Sequence, residues 1–312
     1  MAVWENYKCE IGVEAAFGDG LGGGAFTPIP LTFDSIPELV DDPTTLPVIG
    51  GSKARQPSYP DGKMWKIPFK FYLKGSGTAG TASELGKLFR ICGLDETVNA
   101  GVSVTYDPQD SGYESGTLKI NRDGVQYLCA GTKGEVLKIP LIAGKRTICE
   151  GTLRSLYTEP TGVAYSAPTF ADAAVSIPIV QSLGLTIGGN THVIPEITFT
   201  LDMSVEPEPN VNAANDGIND WAYDIRNWTY ETFLKRDATS DIEMWTKYGA
   251  STNVALSSTG YGSAGNIHEF DAANSQIISV KEVKRVGAVY YQVTAGFNYH
   301  ATLASQFRYK QT

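Results

Sequence analysis

Histidine and cysteine are scarce, with three and four residues in a chain of 312. His192, His268 and His300 stand apart with no partner at ligand spacing, and they read as surface or turn histidines. Cys9, Cys92, Cys129 and Cys149 are also far apart, with no C-x-x-C. That spacing excludes a zinc cluster or a disulfide scaffold and predicts buried, reduced thiols. G-x-S-x-G and H-E-x-x-H are absent, which removes two common hydrolytic arrangements. The "GDG" at 18–20 lacks the further carboxylates of a calcium loop, and "EPEPN" at 206–210 reads as a solvated turn. The expectation is a protein that is not an enzyme and uses no cofactor or metal.

Positive charge is also short. Lys and Arg total 25 against 34 Asp and Glu, a net charge of −9. The deficit is spread along the chain: residues 181–312 hold 9 basic and 14 acidic side chains, leaving 16 and 20 for the rest. Without a basic tract to grip phosphates, a nucleic-acid reader is not expected. No apolar run approaches the roughly 20 residues of a membrane helix. The opening "MAVWENYKCEIG" has neither a basic nor an apolar signal region, so synthesis and folding in a cytoplasm are expected.

What the chain does have is glycine (33), proline (16) and a 42% hydrophobic fraction. This composition can fill a core and leans towards β structure with many turns. "GSGTAG" at 75–80 matches the dinucleotide-binding pattern G-x-G-x-x-G. Its context argues against phosphate binding. The preceding run "WKIPFKFYLK" (65–74) alternates apolar and polar residues, whereas a central parallel strand is apolar on both faces. Asp95 and Glu96, at the distance of a ribose-binding acid, fall in a loop. These glycines read as a flexible connection.

The sequence also repeats itself. "IPEI" at 194–197 lies 158 positions after "IPEL" at 36–39 (194 − 36), and Leu234 lies 161 after Leu73 (234 − 73). "TASELGKLFRICG" (81–93) predicts a helix with a Thr81–Glu84 capping box, one apolar face and a Gly93 stop. "SDIEMWTKYG" (240–249) repeats that plan with Ser240, Glu243 and Gly249. Where the first copy has "GSGTAG", the second has "KRDATS", without glycine. Hairpins are expected around Asp123–Gly124, across "VLKIPLIAGKRTICEGTLRSLY" and across "IISVKEVKRVGAVYYQVTAGFNY". The repeat reads as a tandem duplication.

One strand is unusually acidic. Ile197, Phe199, Leu201, Met203 and Val205 alternate with Thr198, Thr200, Asp202, Ser204 and Glu206. This predicts an apolar core face and a polar outer face carrying Glu196, Asp202 and Glu206.

From "FYLKGSGTAG" through "LFRICG", "VSVTY" and the "DG" hairpin, residues 71–134 resemble major tail tube proteins of long-tailed, siphovirus-type bacteriophages. A weaker echo occupies "GSAGNIHEFDAANSQI" at 262–277, so the similarity spans most of residues 29–300. The acidic stretch after "IPEI" and the N-terminal arm depart from the family pattern.

The resemblance implies a mainly β fold of two tandem tail-tube-like β-sandwich or barrel domains, each with one short α-helix. The expected organisation is a flexible arm at 1–28, a first domain at 29–157, a linker at 158–180 and a second domain at 181–312. It further implies a structural virion protein that polymerises into stacked homotrimeric rings in the host cytoplasm and resides in the virion tail. Such rings conduct double-stranded DNA without sequence-specific binding. The implied protein partners are the tape-measure, tail terminator and distal tail proteins, with no membrane. Glu196, Asp202 and Glu206 are then the expected acidic residues facing the channel. The alternative is a virion decoration or fibre-like adhesin protein.

Overall fold

A computed structural model describes residues 6–20, 25–32, 35–41, 44–45, 58–59, 61–224, 226–285, 287–298, 302 and 306–312. The chain is mainly β, with antiparallel strands and two helices among the described residues. Strands are numbered in chain order. The dominant sheet runs β3 (Glu38–Val40), β6 (Met64–Tyr72), β11 (Ile148–Leu156), β10 (Val125–Ile142), β15 (Glu196–Asp202), β18 (Thr229–Lys235), β22 (Ala288–Phe297), β21 (Asn266–Arg285). Beyond β21 it continues locally through β19 (Asn253–Ser257), β13 (Thr186–Ile187) and β14 (Asn190–Thr191).

These eight main strands fall into two blocks with the same connectivity. β3, β6, β11 and β10 stand in the order that β15, β18, β22 and β21 repeat. In each block the first strand leads through a two-stranded excursion to the second. The excursions are β4 (Thr44–Thr45) with β5 (Ser58–Tyr59), and β16 (Val205–Pro209) with β17 (Ile218–Tyr223). A helix follows, and then a long hairpin closes the block. The blocks meet edge to edge, with β10 and β15 paired from Val136–Asp202 to Ile142–Glu196.

Local sequence explains the strands. In β6, Trp65, Ile67, Phe69 and Phe71 are buried while Lys66, Lys70 and Tyr72 face outward, as a period of two demands. Both long hairpin strands leave the main sheet partway. The first half of β10 pairs with β9 (Gly116–Arg122), which continues to β1 (Tyr7–Val13) and β2 (Thr27–Pro28); β12 (Thr161–Gly162) lies on its other side. The first half of β21 pairs with β20 (Tyr261–Ser263) and β23 (Arg308–Gln311), and β23 continues to β8 (Ser103–Pro108) and β7 (Leu94–Asn99). At the bend of β10, Gly131 has φ +60°, and a Cβ there would lie 2.8 Å from the Phe17 ring. Only glycine fits both conditions.

The core lies between the main sheet and these smaller sheets. Phe69, Phe71, Phe89, Tyr106, Tyr309, Phe270 and Phe199 form a chain of rings with successive centroids 5.0 to 6.0 Å apart. Burial of each such side chain contributes about 1.5–3 kcal/mol relative to exposure. The chain of rings, the β10–β15 ladder and the β8–β23 ladder all join residues 29–157 to residues 181–312.

Three local expectations change. The segment expected to be a flexible arm at 1–28 includes β1, whose Cys9 and Ile11 are buried against β9. Glu14 then pins the following turn, accepting hydrogen bonds from the hydroxyls of Ser115 and Thr117 and the amides of Gly18 and Gly131. Removing residues 6–20 would therefore remove a packed strand and its anchored turn. Helix α1 spans only Gly86–Ile91, with Leu85 at its N-cap and no side-chain cap, because Glu84 bonds elsewhere; Gly93, at φ +77°, does end it. Helix α2 spans Ala238–Ala250, so Ser240 lies inside it, and the left-handed residue after it is Ser251 rather than Gly249.

Candidate functional site: an open sheet face and its ends

One face of the main sheet packs on the core, and the other carries polar side chains in cross-strand rows. Lys70, Glu150, Lys138 and Thr200 lie side by side across four strands. They line a groove of about 570 Å³ together with Ser35 and Asp202. Within the row, Glu150 is therefore flanked by Lys70 and Lys138.

Glu196 and Asp202 lie at opposite ends of β15 on this face. Glu196 accepts a hydrogen bond from Arg285 at 2.9 Å, and the Arg285 guanidinium lies 4.0 Å over the Phe233 ring. Asp202 accepts the Ser204 amide at 3.2 Å, closing a local turn. Glu206 is separated from them. The alternation of burial continues through Met203 and Val205, yet the strand breaks at Ser204, whose φ is +46°. Glu206 consequently sits exposed on β16, in a different sheet.

The hairpin β16–β17 is braced against the first block. Lys133, buried to 3% exposure, lies 2.7 Å from Asp220, and Trp221 donates its indole N–H to the Gly131 carbonyl at 2.6 Å. Tyr223 donates to the Ile91 carbonyl at 3.2 Å. None of these partners has a local sequence signal; each pairing spans most of a block or more.

The glycine loop is a packing device. The Gly75 amide donates to Asn266 Oδ1 at 2.6 Å and the Gly77 amide to the Gly265 carbonyl at 3.0 Å. A Cβ on Gly75 would come within 2.7 Å of that carbonyl. The loop of the first block thus docks on the β20–β21 turn of the second. Asn266 also touches His268, which is fully buried with Nδ1 2.7 Å from the Tyr309 hydroxyl and Nε2 3.1 Å from Asn266 Oδ1. Burial lowers the His268 pKa to about 3, so the ring is neutral. His192 is buried too, 3.5 Å from Glu243; neither is the surface histidine that the sequence suggested. His300 lies outside the described residues.

Residues 158–180 form a strap fastened across the first block. Lys74 donates to the Asp172 carboxylate at 2.7 Å and to its carbonyl at 3.0 Å. Glu84 accepts the Ala171 amide, and its carboxyl lies within hydrogen-bonding reach of Asp172. Burial first, then the bond to Asp172, raises the Glu84 pKa to about 7. Glu84 Oε2 and Asp172 Oδ2 are both buried with no hydrogen-bond donor on either.

All four cysteines are buried and unpaired, and desolvation pushes the Cys92 and Cys129 thiols up to about 12. Among the described residues, no group of three or more His, Cys, Asp or Glu is arranged to hold a metal ion. No described helix is long and apolar enough to cross a membrane. No known protein family matches the chain, and no curated protein matches it.

Proposed function

We propose that this chain is the major tail tube subunit of a siphovirus-type tail: two tube-like β domains in tandem, assembling into stacked rings that conduct double-stranded DNA. The observation that carries this reading is the internal joint. Two four-strand blocks of the same connectivity pair edge to edge through β10 and β15. Among the described residues, no strand pairs the outer edge of β21 over residues 277–285. β21 stands in its block where β10 stands in the first, and β3 stands where β15 stands. Each copy thus carries a free edge like β10 and an opposite edge like β15. The joint inside the chain is the pattern for the joint between chains.

Closing such a sheet removes the exposed edges that otherwise promote aggregation. Three chains of eight main strands would close about 24 strands. At about 4.8 Å spacing and about 40° tilt, the backbone diameter is about 48 Å, wide enough for a duplex after side chains intrude. The open face would line that channel. Its partners would be the tape-measure protein, the tail terminator and distal tail proteins, and passing phage DNA, all within the virion tail.

Negative-stain electron microscopy of the purified protein tests this reading. The expected result is rings or tubes whose end-on averages show three-fold symmetry over a pseudo-six-fold channel. Six identical chains around one lumen would overturn the trimer. Monomers that bind glycans would favour a decoration or adhesin role instead.

A further inference from the structure

The two ends of the main sheet carry opposite charge, and strand direction fixes which residues share an end. Ile142 lies opposite Glu196, Lys235 opposite Tyr290, and Arg285 opposite Ala288. The β10–β11 turn, the exit of β18 and the β21–β22 turn therefore share one end. That end holds Lys145, Arg146, Lys235, Arg236, Lys284 and Arg285. Its acids include Glu196 and Glu282, which already pair with Arg285 and Arg236.

At the other end β15 exits into the β16–β17 hairpin. Residues 202–224 contain Asp202, Glu206, Glu208, Asp216, Asp220 and Asp224 with no Lys or Arg. Glu206, Glu208, Asp216 and Asp224 are exposed. The hairpin holds them on a fixed support, because Trp221 and Tyr223 bond to the first block and Lys133 anchors Asp220. Two further ion pairs lie at this end, Arg154 with Glu135 and Arg226 with Asp110.

We infer that copies of this chain stack head to tail, the basic end of one layer seated on the acidic hairpins of the next. The partner is a second copy because one chain supplies both complementary surfaces, and a heterologous contact between opposite ends propagates without limit. The layer itself, a closed ring, rests on the proposed tube reading. Charge complementarity orients the layers and makes stacking sensitive to salt, since the screening length shrinks from about 10 Å at 0.1 M to about 3 Å at 1 M.

The test uses two charge reversals in the full chain, Lys145→Glu with Lys284→Glu, and Glu206→Lys with Glu208→Lys. All four positions are exposed, and circular dichroism verifies that both variants fold. Each variant alone is expected to form rings but no tubes, because the reversal removes most of the charge difference between its two ends. An equimolar mixture should regain tubes, and wild-type tubes should shorten as salt rises. Tubes of wild-type length from either variant alone, or a mixture that stays as rings, would overturn the stacking inference. Should the wild type form no rings, the tube reading fails by itself. Sedimentation then decides the inference: salt-sensitive self-association that each reversal abolishes and mixing restores sustains it, and its absence ends it.

Discussion

Glu14 is a single buried carboxylate that ties three parts of the chain together. It accepts from Ser115 at 2.6 Å, from Thr117 at 2.5 Å, from the Gly131 amide at 2.9 Å and from the Gly18 amide at 3.0 Å. Replacing it with alanine leaves two buried hydroxyls and at least one buried amide without an acceptor. Each unsatisfied group costs about 1–3 kcal/mol, so Glu14→Ala is expected to lose about 3 kcal/mol or more. The urea midpoint measures this, and an unchanged midpoint would show that water replaces the carboxylate. Glu14→Gln should lose less, since its carbonyl retains part of the acceptor capacity.

At the level of elements, the strap shows a contact that responds to pH. Glu84 holds its proton in the fold up to about pH 7, whereas an ordinary glutamate loses it near 4.5. A raised carboxyl pKa contributes stability that is complete below the unfolded value and fades as pH rises through the folded one. As Glu84 ionises above about pH 7, its charge falls beside the Asp172 carboxyl, so the strap should loosen. Hydrogen exchange of residues 166–178 is expected to be faster at high pH than at low pH in the wild type. Glu84→Gln, which keeps a hydrogen-bond donor without the titration, should flatten that difference. An exchange rate indifferent to pH in the wild type, beyond the intrinsic chemical dependence, would refute the pH-sensitive strap.

The same strap explains which features were legible in the sequence. β6, β15 and the long hairpins announce themselves because half-buried strands alternate with a period of two, and because Asp123 and Gly124 adopt the positive φ values that a tight hairpin needs. The capping boxes misled, because Glu84 is recruited by Ala171, 87 residues away, rather than by its own helix. The repeat was visible, yet its register was not. Leu31 bridges Phe71 while Ile197 lies opposite Thr232. With Leu73 matched to Leu234, Thr232 corresponds to Phe71, so Ile197 corresponds to Leu31 and not to Leu39 of "IPEL". Edge pairings such as β10 with β15 leave no local trace, because backbone hydrogen bonds join any two extended segments.

Across the whole molecule, the two halves share hydrogen bonds and core. The last strand, β23, pairs with β21 on one side and β8 on the other, and Tyr309 stacks on Tyr106 at 5.5 Å. Phe307 and Tyr309 are fully buried. Truncation of residues 306–312 should therefore destabilise both halves together, and the intact chain should unfold in a single transition by calorimetry. Two resolved transitions, with the truncation affecting only one, would show that the halves are energetically separate.

The β10–β15 ladder also bears on how fast assembly can begin. A ring built from six separate units must bring strangers together six times, and its earliest intermediates fall apart readily. In the proposed ring every second joint would close during folding, at an effective concentration up to about millimolar that the covalent connection provides. If copies join as the blocks do, the critical nucleus contains fewer molecules, and the lag before rings appear depends less steeply on protein concentration. In such a ring, cutting the chain between the blocks would raise that kinetic order while leaving the β10–β15 joint itself in place.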